Sequence, residues 1–121
     1  PDFAVLSYPV VTFTGEFTHK GSMRNLLGDN PDPKLVEDLS NEKRVTAQTP
    51  PTFLVHSTDD KAVPPENSIN FYLALRKAGV PSEMHIFEIG GHGYGLGNRH
   101  AILGSWPSRL ADWLRVRGFL R

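Results

Sequence analysis

The stretch Pro51-Thr52-Phe53-Leu54-Val55-His56-Ser57-Thr58-Asp59-Asp60-Lys61-Ala62-Val63-Pro64-Pro65 decides the fold. The apolar run Phe53-Leu54-Val55 follows the rigid Thr49-Pro50-Pro51 and predicts a strand over Thr52–His56. A polar turn ends it. Pro64-Pro65-Glu66-Asn67 then opens a helix reaching about Ala78, with Gly79 as the residue just past its end and Pro81 barring continuation. A second strand, Ser82–Ile89, and a glycine-rich loop, Gly90–Asn98, come next. Strand, helix and strand in this order form a βαβ unit, in which the two strands run parallel.

Outward from this unit, Phe3-Ala4-Val5-Leu6-Ser7-Tyr8 predicts another buried strand, broken near Pro9, although the apolar character persists through Val10-Val11-Thr12-Phe13. Thr14 to Gly28 has no clear period and reads as a loop with a helical turn around Ser22–Leu27. Asp32-Pro33 pairs an N-cap with proline at the first helical position. Leu35, Val36 and Leu39 then give a short apolar stripe ending near Asn41. On the helix after Pro64, Ile69, Tyr72 and Leu73 form the main stripe, widened by Ala74 and Leu75. Ser105 can cap a last helix whose apolar face is Trp106, Leu110, Trp113 and Leu114. Gly118 ends it, and Phe119 and Leu120 can fold back. The fold class is therefore α/β, a three-stranded parallel sheet with flanking helices.

The 121 residues suffice for one domain at most. Thirteen basic and thirteen acidic side chains give zero formal net charge, which offers no field for a nucleic acid. There is no cysteine, so disulfides, thiolate nucleophiles and cysteine metal sites are excluded. No apolar stretch approaches the roughly 20 residues that span a bilayer, so no membrane partner is expected. A strand-like run begins directly after Pro1-Asp2, as in a chain cut from something longer.

Asp60 and His92 carry the chemistry. Each follows the end of a predicted strand, where α/β proteins place their reactive groups. An imidazole can take a proton from a hydroxyl and return it to a leaving group, while a carboxylate holds its other ring N–H. Taken alone, Asp60 could equally be a turn or capping residue before Val63-Pro64.

The segment Pro51–Asp60 with Val63-Pro64 and Asn67-Ser68 resembles the acid segment of α/β-hydrolase serine esterases. The branch it resembles contains acetyl, acetylxylan and feruloyl esterases, and is related to dienelactone hydrolases and prolyl oligopeptidase catalytic domains. His85–Glu88 through Gly91-His92-Gly93-Tyr94-Gly95-Leu96-Gly97 resembles the family's histidine segment, and Trp106–Leu120 its terminal helix. Ser7-Tyr8-Pro9-Val10 is similar to the strand after the nucleophile helix. Ser57 stands where the family usually has glycine.

This resemblance implies that residues 1–121 are a single partial domain, the C-terminal half of an α/β-hydrolase fold. Asp60 is then the triad acid and His92 the base. The expected activity is hydrolysis of short acyl esters, such as those on plant polysaccharide, without a cofactor. A prolyl-oligopeptidase-like peptidase and a non-catalytic, self-associating domain are the alternatives.

No Gly-x-Ser-x-Gly elbow occurs. Ser7, Ser22, Ser57, Ser68 and Ser105 lack that setting, so the chain alone is expected to be inactive. His56 reads as a packed structural residue, His85 as buried within its strand, and His19 and His100 as surface or loop residues. Asp59 reads as a solvated or capping neighbour. Trp106 and Trp113 read as core, and Tyr94 as packing or lining a cleft. No metal site is expected, because no close His pair exists. An open sheet edge predicts a homo-oligomer, or pairing with a missing N-terminal half.

Overall fold

In the computed structural model, which describes residues 1–98 and 100–121, the apolar runs become strands β1 (Ala4–Ser7), β2 (Thr52–Ser57) and β3 (Ser82–Phe87). Between and after them lie helices α1 (Lys20–Leu27), α2 (Pro33–Asp38), α3 (Glu66–Lys77) and α4 (Trp106–Val116), with short 3-10 turns at Asn41–Lys43 and Leu103–Ser105. The sheet order is β1-β2-β3 and both pairings are parallel, as expected. Ala4, Thr52 and Ser82 lie in register, so the carboxyl ends of all three strands open on the same side.

β2 is the central strand, and all six of its residues are buried. Successive side chains point to opposite faces, which divides the core in two. On one face Phe53 and Val55 pack with Trp106 and Trp113, with Phe3, Val5, Leu110 and Leu114 at the margin. On the other, Leu54 packs with Leu75 and Val80, flanked by Leu6, Phe71 and Met84. Each fully buried Phe, Leu or Val contributes about 1.5–3 kcal/mol from removal of its apolar surface from water.

Several elements depart from the expectation. β1 is half-buried rather than buried, and β3 is half-buried as well, because among the described residues each pairs with a neighbour on one side only. His85 is consequently half-buried, with its ring 5.3 Å from Phe53 and Nε2 2.8 Å from Glu83 Oε1. Val10–Phe13 lies beyond the strand, as the break near Pro9 predicts, and the amides of Val11 and Thr12 donate to Oδ1 of the buried Asn67, at 2.9 and 3.0 Å. α1 is a full helix rather than a turn, started by His19, whose Nδ1 accepts from the Ser22 amide at 3.1 Å. On α3, Leu73 is 53% exposed and Leu75 is fully buried, so the inward face runs through Ser68, Phe71, Tyr72 and Leu75. The polar Ser68 hides that face from a hydrophobicity count. Ser105 precedes α4, but its hydroxyl donates back to the Ile102 carbonyl (2.6 Å) instead of capping the helix. Asp32 caps α2 as expected, accepting from the Lys34 amide at 2.8 Å. That helix ends at Asp38, three residues before the expected limit at Asn41.

Candidate active site

The loops after β2 and β3 meet over the carboxyl end of the sheet. The turn after β2 starts with the Asp60 amide donating to the Ser57 carbonyl at 3.3 Å. Asp60 Oδ1 then accepts from the amides of Ala62 and Val63, at 3.0 and 2.9 Å. This is the turn role open to any such aspartate. The other oxygen faces the loop after β3: Oδ2 lies 2.7 Å from His92 Nδ1. One carboxylate thus fills both of the roles its sequence context allowed.

A second imidazole reaches the same oxygen. His56 Nε2 lies 3.2 Å from Asp60 Oδ2 and 2.9 Å from the Val63 carbonyl. Both are acceptors, so Nε2 carries a proton and Nδ1 accepts from the Ser68 hydroxyl at 2.7 Å. His56 is therefore the structural, hydrogen-bonded residue expected, and one of its partners is Asp60. Burial pushes the Asp60 carboxyl up. The amide of Val63, the ring of His92 and the amide of Ala62 outweigh it, holding the group below the usual carboxylate range.

The loop after β3 is tied down just before His92. Asp59 Oδ1 accepts from the amides of Gly90 and Gly91, at 2.8 and 2.7 Å, which pulls its carboxyl below the ordinary value. Ser57 Oγ donates to the Gly91 carbonyl at 2.5 Å. The His92 side chain is 38% exposed, and no hydrogen bond to its Nε2 is made among the described residues. With Nδ1–H directed at Asp60, the Nε2 lone pair is the one available to take a proton.

Two tyrosines frame this ring. Tyr8, just after β1, has φ +39°, a left-handed conformation that costs a non-glycine residue about 1–3 kcal/mol. Its amide still extends the ladder to the Val55 carbonyl at 2.7 Å. Its ring meets His92 and Tyr94 edge-on, with centroids 4.9 Å away in each case. Tyr94 packs against the Trp106 core. Its buried hydroxyl has no partner among the described residues, and burial strongly raises its pKa.

The other serines have separate occupations. Ser68 bonds to His56, Ser22 to His19, and Ser105 to Ile102. Among the described residues, no hydroxyl hydrogen bonds to the His92 ring, and no three His, Asp or Glu side chains are grouped to hold a metal ion.

The prolyl oligopeptidase family model matches residues 2–116. The chain belongs to the prolyl oligopeptidase family. Its three-stranded parallel sheet and flanking helices form part of an α/β-hydrolase fold. An acetyl ester-xyloside bifunctional hydrolase from Caldicellulosiruptor lactoaceticus superposes with a TM-score of 0.97 at 48% identity, over 100% of this chain and 44% of that one. The acetylxylan esterase of Xylanibacter ruminicola is 34% identical over 95% of this chain and 25% of its own length. Endo-1,4-beta-xylanase B of Butyrivibrio fibrisolvens is 44% identical over 81% of this chain and 15% of its own length. The chain thus spans a quarter or less of these two curated relatives.

In this family member, Asp60 and His92 meet across the two loops. Asp59 is the exposed residue expected, with its carboxylate on the Gly90 and Gly91 amides; the contacts of Tyr8 with His92 and of Ser57 with Gly91 were not anticipated. The Asp59-Asp60 doublet was visible, but nothing local distinguishes a solvated aspartate from one facing another loop.

Proposed function

We propose that residues 1–121 are a single partial α/β-hydrolase domain holding the acid–base half of a serine carboxylesterase. Asp60 is its acid and His92 its base, and the nucleophilic serine comes from a Gly-x-Ser-x-Gly elbow outside these residues. The observation that carries this reading is the 2.7 Å contact between Asp60 Oδ2 and His92 Nδ1, on a ring whose other nitrogen is open. His92 Nε2 removes the serine proton as the hydroxyl attacks the acyl carbon, then gives it to the departing alcohol. Water, deprotonated by the same nitrogen, releases the acid. Asp60 stays ionised throughout, because its four hydrogen-bond donors stabilise the carboxylate. No step requires a cofactor.

Short acyl esters, acetyl groups on xylan-type polysaccharide in particular, are the substrates the relatives' names favour. The xylanase name does not transfer a glycosidase reading. Glycoside cleavage uses two carboxyl groups facing one bond, and here Asp59 is committed to backbone amides.

The test is a chimera. These 121 residues replace the matching part of the Caldicellulosiruptor hydrolase, and hydrolysis of 4-nitrophenyl acetate and acetylated xylan is measured. Turnover lost in His92→Ala by about 10⁴-fold or more is expected. A folded chimera whose turnover is indifferent to His92→Ala rejects the reading. The 121-residue chain alone is expected to show no His92-dependent turnover.

A further inference from the structure

His92 sits in a glycine-rich loop after β3. Gly90 and Gly91 precede His92, and Gly91 has φ +61°. Gly90 lies so close to the neighbouring loop that an added Cβ would come within 3.0 Å of Ser57 Cβ and of Leu103 Cδ2. Side chains are thus excluded where they could have anchored the loop from its own side. The anchoring comes from across the site. Asp59 Oδ1 takes the amides of Gly90 and Gly91, at 2.8 and 2.7 Å, and Ser57 Oγ takes the Gly91 carbonyl. Asp59 is itself exposed and makes no hydrogen bond to the His92 ring.

We propose that Asp59 is a positioning residue, which fixes the backbone of residues 90–91 so that the His92 ring arrives on Asp60. The two adjacent aspartates divide the work. Asp60 holds the ring of the base, and Asp59 holds the chain that carries it. One short turn after β2 therefore sets both the orientation and the location of His92. Both oxygen–amide contacts are charge-assisted, the stronger class of hydrogen bond. The inference rests on His92 being the catalytic base, and its test is built so that the two can fail separately.

The experiment uses the 15N-labelled 121-residue chain, with Asp59→Ala and Asp59→Asn beside the wild type. Amide hydrogen exchange is read at Gly90 and Gly91, and the His92 Nδ1 proton is observed by NMR. In Asp59→Ala, the two glycine amides are expected to exchange about tenfold faster or more, and the His92 Nδ1 proton to lose its protection. The amides of Leu54 and Val55 in β2 should keep their wild-type rates. Asp59→Asn, which retains an acceptor without the charge, should recover part of both effects. In the chimera, Asp59→Ala should lower kcat with little change in KM, because the group lost orients the base and does not bind substrate. Unchanged glycine exchange in Asp59→Ala overturns the proposal. So does faster exchange with the His92 Nδ1 proton as protected as before. If the chimera fails to turn over with Asp59 intact, the esterase reading falls, while the NMR result still decides the role of Asp59.

Discussion

At the scale of residues, the site is governed by how many donors one carboxylate can satisfy. Asp60 Oδ1 accepts two amides and Oδ2 faces two imidazoles, with no part of the side chain exposed. Its folded pKa lies below the ordinary value of about 3.9, so its contribution to stability is present above that value and is lost as pH falls through the folded pKa. Urea unfolding at pH 7 and in the range below about pH 4 should therefore show wild type losing more stability on acidification than Asp60→Asn. An equal acid dependence for the two proteins would contradict the network. In the active chimera, Asp60→Asn should lower kcat by about 10⁴-fold, the scale found for an orienting aspartate in a serine protease.

At the scale of elements, α3 separates what a stripe suggests from what packing selects. Leu75 lies on the face that meets Leu54 and Val80, while Leu73 points to solvent. Leu75→Ala should cost about 2–5 kcal/mol in urea unfolding. Leu73→Ala should stay within about 0.5 kcal/mol. Similar costs would mean that the helix is rotated from the arrangement described. In the base loop, Gly90→Ala should cost about 1–3 kcal/mol, because the new methyl must displace Leu103, Ser57 or the Tyr94 ring. The same substitution should speed amide exchange in residues 90–92 ahead of global unfolding. The strands and helices of the βαβ unit were legible because proline, glycine and apolar periodicity punctuate them. α1 was only partly legible, because a histidine is not a typical helix-starting residue. The inward face of α3 was misread, because Asn67 and Ser68 are buried through hydrogen bonds to Val11, Thr12 and His56.

At the scale of the whole molecule, β1 and β3 each pair on one side only, and β1 borders an open apolar hollow of about 400 Å³ lined by Leu6, Val10, Val45 and Phe71. Unpaired strand edges beside exposed apolar surface favour association between chains. The isolated chain is expected to sediment above the mass of a 121-residue monomer as its concentration rises. A constant monomer mass at high concentration would remove that expectation.

The sequence by itself determined the order of elements, the parallel sheet, and the placing of Asp60 and His92 after strand ends. Those features depend on local punctuation, which acts over a few residues at a time, and on the fixed handedness of βαβ connections. Tertiary structure alone decided that Asp60 Oδ2 is shared by two histidines, that Asn67 caps the Val11–Thr12 backbone, and that Asp59 reaches Gly90 and Gly91. Apart from the local His56–Asp60 contact, each of these joins a polar side chain to a group distant in sequence. Such bonds leave no period or propensity in the chain. The contacts of Asp59 and Asp60 with the loop after β3 exist only once the parallel register has brought the ends of β2 and β3 side by side.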